Sequence, residues 1–141
     1  FNHQNGIVDC SNKLINNVTE NIPPIAEKFY LDGNDLVYIK SAIFIGLYQL
    51  KTLYLNRSGI EVIQPNSFVN LTKLENIYLN QNSLTCVDVE SLNGLVSLKL
   101  LLPLVLQILS ASPLPLITFL SLLFQIKLQN RLLYDLPHLS S

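Results

Sequence analysis

Three tyrosines stand at equal intervals, Tyr30, Tyr54 and Tyr78, each 24 residues from the next. Two other series keep the same step. Lys28, Thr52 and Asn76 lie two residues before the tyrosines, and Asp32, Asn56 and Asn80 two residues after them. These residue types carry recognition chemistry. A phenol ring offers a large apolar face with a hydroxyl at its tip and little rotamer freedom to lose, which is why tyrosine is enriched where proteins touch. Amides, a carboxylate and an ammonium beside the rings add directional hydrogen bonds. The same spacing has a purely internal reading, because aromatic side chains on neighbouring strands stabilise one another. The residues alone leave both readings open.

Catalysis has no comparable equipment. The two histidines, His3 and His138, sit at opposite ends, and there is no Ser, His and Asp set, no glycine-rich phosphate loop and no Cys/His cluster with ligand spacing. No enzyme, metal or cofactor is expected, and the scattered carboxylates read as solvated surface. Lys plus Arg number 9 against 10 Asp plus Glu, a net charge of −1. No broad field draws the chain to nucleic acid or an anionic membrane.

Columns 24 residues apart face one way only if the chain repeats a structural unit. Such units start at Ala26, Leu50, Leu74 and Leu98. Within them Phe29 and Leu31, Leu53 and Leu55, and Ile77 and Leu79 alternate as a short strand with one buried face. Residues 29–31, 53–55 and 77–79 are therefore predicted to form adjacent parallel strands, with the tyrosine column facing out. Each strand leads to a corner, Asn34, Ser58 or Asn82, then to inward residues Leu36, Ile60 and Leu84 and Ile39, Ile63 and Val87. The unit closes through Phe44, Phe68 and Leu92 and through Leu47, Leu71 and Leu95. A buried corner amide can serve backbone groups that a turning chain leaves unpaired, so Ser58 is expected to make the weakest corner.

This pattern resembles the leucine-rich repeat. The resemblance implies an α/β solenoid with a curved parallel β-sheet on the concave face. Residues 1–25 read as a truncated N-terminal cap, 26–98 as three regular 24-residue repeats, and 99–141 as degenerate repeats or an aberrant C-terminal segment. Between Leu100 and Ile126 no residue is charged, Leu106 takes the corner and Pro103 a strand position. A decayed repeat, a transmembrane helix and an altered reading frame each account for part of this. Pro103, Pro113 and Pro115 weigh against the helix.

The segment from Gly6 to Leu36 sets Cys10 ahead of an Ile22-Pro23 step and resembles the cysteine-containing N-terminal cap of extracellular leucine-rich-repeat proteins. More closely, VDCSNK, YLDGN, the sequon at Asn70 and NSLTCV, spread over residues 6 to about 102, resemble the Slit guidance proteins, particularly their fourth repeat domain. That resemblance implies a secreted protein that steers axons through Robo receptors. It implies a protein receptor or matrix partner, a possible homodimer, and heparan sulphate binding, which the near-neutral charge opposes. The tyrosine columns would form the contact face. The alternative is the ectodomain of a membrane-anchored receptor or adhesion protein.

Cys10 and Cys86 lie about three coils apart, roughly 15 Å at the strand spacing, against about 6 Å for a disulfide. Each is expected to pair outside this chain. Sequons at Asn17, Asn56 and Asn70 are candidate glycosylation sites and favour the secretory pathway. A glycan on Asn56 would obstruct part of the tyrosine face, so either that sequon is unused or the contact avoids its end, whereas Asn17 in the cap and Asn70 on the flank tolerate one. The opening FNHQNG has neither Met nor an apolar leader, so the natural start is expected upstream.

Overall fold

The computed structural model describes residues 2–18, 22–92, 94–95 and 97–99, with backbone alone at 2–4, 86, 87 and 89. The readings placed on residues 100–141 and on Thr19 fall outside them.

The described residues form strands β1 (Asn2–Gln4), β2 (Ile7–Asp9), β3 (Lys28–Tyr30), β4 (Tyr38–Ile39), β5 (Thr52–Tyr54), β6 (Val62–Ile63), β7 (Asn76–Tyr78) and β8 (Cys86–Val87), the repeat strands β3, β5 and β7 following the polar–apolar alternation. One sheet runs β1-β2-β3-β5-β7 and a second runs β4-β6-β8. Within the repeats all pairings are parallel, with Phe29 opposite Leu53 and Leu53 opposite Ile77. The stack is a solenoid with a parallel sheet on one side. The strands begin and end one residue earlier than the alternation suggests. Leu31 and Leu55 stay buried and their N–H groups still donate to Tyr54 O and Tyr78 O, at 2.9 and 2.8 Å, but the chain turns at the next residue.

That turn takes a left-handed residue in every coil: Gly33 (φ 67°), Arg57 (φ 53°) and Gln81 (φ 58°). At the first of them an added Cβ would also meet Asn12 Oδ1, so that side chain would have to move to admit any other residue. The short second sheet was not foreseen. Its two-residue strands are too brief to show an alternating pattern, although their inward members Ile39 and Ile63 were read as buried, and they are.

Opposite the first sheet the chain returns through turns and one 3-10 helix, Val89–Leu92, with no α-helix among the described residues. Phe44, Phe68, Leu47, Leu71, Leu92 and Leu95 fill the space between coils. Phe44 and Phe68 stack with centroids 5.9 Å apart and planes 5° apart, and Phe29 meets Phe44 edge-on at 6.5 Å.

The corner asparagines serve backbone on both sides. Asn34 Nδ2 donates to Cys10 O and Leu31 O, and its Oδ1 accepts from Lys13 N and Ile15 N. Asn82 repeats this with Leu55 O, Leu79 O, Ser58 N and Ile60 N. Ser58 Oγ, with a single hydrogen, donates to Leu31 O at 2.8 Å and accepts from Asn34 N only at 3.5 Å. Leu36 N turns instead to the backbone Ser58 O.

The cap contains an unforeseen hairpin. β1 and β2 pair antiparallel around Asn5 (φ 54°) and Gly6 (φ 73°), the two positive values of a two-residue hairpin turn. β2 then pairs parallel with β3, Val8 opposite Phe29, so the cap continues the sheet of the repeats.

Candidate functional site

Identical register brings the three tyrosines onto neighbouring strands, Tyr30 opposite Tyr54 and Tyr54 opposite Tyr78. Backbones about 4.8 Å apart with like side chains force the rings into parallel planes. Tyr30 and Tyr54 stack at 4.3 Å and 4°, Tyr54 and Tyr78 at 4.8 Å and 8°. The rings largely cover each other's faces, so a partner meets their edges and hydroxyls. In the cap the same column continues as Asp9, opposite Tyr30, a residue the 24-residue step could not reach.

The flanking columns divide. Lys28 and Asn80 are exposed and their side chains make no hydrogen bond. Asp32 Oδ1 accepts from Asn56 N at 2.7 Å, and Asn56 Oδ1 accepts from Asn80 N at 2.8 Å, so this column also ties coil to coil. Asn76 is half-buried. Thr52 departs from expectation: it is only 8 % exposed and offers a partner little. Its side chain is short and its neighbours in the column, Lys28 and Asn76, are both longer.

A further column went unnoticed. Glu27, Lys51, Glu75 and Lys99 alternate in sign at the same step, and the structure joins them as Glu27–Lys51 (2.9 Å) and Glu75–Lys99 (2.7 Å). Both pairs are exposed and add little stability. They make this margin of the sheet electrically neutral.

Burial, with help from the Tyr30 hydrogen bond and neighbouring charges, pushes the Tyr54 phenol up to about 12. The fold thus favours the neutral phenol. Its contribution is complete below the ordinary tyrosine value of about 10 and is lost as pH rises towards 12. Phenolate absorbance should show one tyrosine titrating late, and the urea midpoint should fall as pH rises from about 10 towards 12. A Tyr54→Leu variant should lose part of that fall; an equal fall in both would assign it to other groups.

In the cap, Asp9 is held below its ordinary value by the Ser11 N–H, which donates to its Oδ1 at 2.9 Å. Cys10 is a free thiol, 2 % exposed, which burial pushes up and away from the reactive thiolate. The Cys86 side chain lies outside the described set. Asn17 and Asn70 are exposed, whereas Asn56 is half-buried. Among the described residues no group of three or more His, Cys, Asp or Glu could hold a metal ion.

A family model described as leucine rich repeat matches residues 26–84 and 48–102. No curated protein sequence matches the chain. Among solved structures, human 5T4 (Wnt-activated inhibitory factor 1, trophoblast glycoprotein) is similar at 24 % identity and a TM-score of 0.61, over 64 % of this chain and 33 % of that one. A TLR13–ssRNA13 complex is similar at 31 % identity and a TM-score of 0.52, over 53 % of this chain and 11 % of that one. This chain thus spans about a third and about a tenth of those proteins.

Proposed function

Because the chain belongs to the leucine-rich repeat family, we propose that it is an extracellular binding module that recognises a macromolecular partner on its tyrosine-bearing sheet. The observation that carries this is the stacked column of three half-exposed tyrosines along the sheet. Free Lys28 and Asn80 flank it. The exposed asparagines of two sequons and the capped first coil support an extracellular setting.

In its finer form the reading is a secreted, Slit-like guidance or matrix protein, supported by the VDCSNK, YLDGN and NSLTCV segments. A second reading is the ectodomain of a membrane receptor or adhesion protein built on the same repeats. The solved TLR13 complex holds single-stranded RNA. For this chain a protein is the better partner, since the alternating Glu27, Lys51, Glu75 and Lys99 provide no basic stripe for phosphates. The full-length transcript separates the two settings: a signal peptide with downstream EGF-like modules supports the first, a single membrane span the second.

The test of the face is a titration of the chain, fused to a reporter enzyme, onto cells that bind it. Tyr54→Ala should weaken binding at least about fivefold, the scale of a contact hot spot of about 1 kcal/mol or more. Tyr54→Phe, which keeps the stack and removes one hydroxyl, separates ring from polar tip. Unchanged binding by Tyr54→Ala with an intact circular dichroism spectrum would assign the column to structure alone.

A further inference from the structure

We propose that Asn70 is an N-glycan attachment site, and that Asn56, which carries the same three-residue motif, stays bare in the folded protein. This rests on the extracellular reading above and goes beyond it in choosing between two sequons.

Asn70 is exposed and adopts a left-handed backbone, φ 66°. One coil before and one coil after, the equivalent residues are Gly46 (φ 92°) and Gly94 (φ 82°). At either glycine an added Cβ would meet nothing within 4 Å. The turn therefore demands a residue at ease with positive φ, and asparagine is the side-chain-bearing type that tolerates it best. With glycine on both sides, Asn70 stands on cleared ground. Leu71 beside it is fully buried and fixes the backbone, while Thr72 is exposed. The Asn70 amide makes no hydrogen bond that a sugar would break.

Asn56 is placed in the opposite way. Its Oδ1 accepts from Asn80 N, and its own N–H donates to Asp32 Oδ1. The equivalent residues on both neighbouring coils, Asp32 and Asn80, carry side chains. Ser58, the hydroxyl member of the motif, is fully buried and donates to Leu31 O. A glycan here would crowd those side chains and overhang the tyrosine column two residues away.

In the transfer, Asn70 Nδ2 bonds to the anomeric carbon of an oligosaccharide carried on a lipid diphosphate. The bond from that carbon to the diphosphate oxygen breaks, its electron pair leaves with the lipid diphosphate, and the proton released by the amide passes to a base of the transferring enzyme. No atom changes oxidation state.

The experiment expresses the full chain behind a secretion leader in insect cells, so entry into the secretory pathway is imposed and its natural address is not what is tested. The folded, secreted protein is deglycosylated in heavy-oxygen water and each sequon is read by peptide mass spectrometry. Asn70 should be occupied in most molecules and Asn56 in few, and Asn70→Gln should remove one glycan's mass. Gly46→Asn with Tyr48→Thr builds the same motif on the preceding coil and should gain a glycan. Bare Asn70, equal occupancy of Asn56, or a bare engineered site would each overturn the assignment.

Discussion

Phe68→Ala should lower stability by about 4 kcal/mol, the range for emptying a fully buried phenylalanine site. The ring is 0 % exposed and stacks on Phe44, and the next coil presents Leu92 at the same register position. Its neighbours cannot collapse into the gap. Each is anchored to its own coil by a residue three positions later, Leu47 or Leu95, which is itself buried. The effect should extend beyond local packing. In a solenoid each coil is stabilised mainly by the coils it touches, and Phe68 belongs to the middle one. Urea unfolding followed by circular dichroism should show a lower midpoint, and the transition should broaden as the first and third coils lose their common neighbour. A loss below about 1.5 kcal/mol with an unchanged slope would mean that the convex side is loosely packed and that the sheet carries the cohesion.

The repeat was legible because burial imposes it directly. A position that must face the interior in one coil faces it in every coil, so Phe29, Leu53 and Ile77, or Phe44, Phe68 and Leu92, repeat in phase. Once the register is known, the tyrosines must be neighbours. Features that break the 24-residue step were hidden by it. The cap hairpin follows from Asn5-Gly6, a two-residue turn signal that was in plain view, and with it came Asp9 as the head of the tyrosine column. The Glu27, Lys51, Glu75 and Lys99 column keeps the step and was equally legible, but carboxylates taken one at a time look like scattered surface. Thr52 was misplaced for a different reason: facing outward is a matter of register, whereas exposure depends on how long the neighbouring side chains are. The register already sets Asn56 at the edge of the tyrosine face and Asn70 on the flank between Gly46 and Gly94; the half-burial of Asn56 and the left-handed backbone at Asn70 are what the fold adds.

Asn34→Ala should cost about 3 kcal/mol, set not by the bonds it makes but by the groups it leaves without partners. Asn34 is 8 % exposed and engages four backbone groups: Cys10 O at 2.9 Å, Leu31 O at 2.8 Å, Lys13 N at 3.0 Å and Ile15 N at 3.1 Å. Leu31 O keeps the Ser58 hydroxyl after the change, so three groups lose this partner. Each is worth about 1 kcal/mol or more when buried and less where water reaches it, as it does in part at Lys13. All three belong to the cap, so the loss should concentrate there. Amide exchange at Lys13 and Ile15 should accelerate far more than at Leu53 or Ile77, whose environment is unchanged. Asn34→Asp keeps the acceptor, removes both donors and sets a carboxylate against Cys10 O and Leu31 O, so it should be at least as damaging at neutral pH and less so in acid, where the protonated form donates again. Uniform acceleration across all three coils would show that Asn34 supports the whole stack. Unchanged exchange at Lys13 and Ile15 would show that water replaces the amide there without cost.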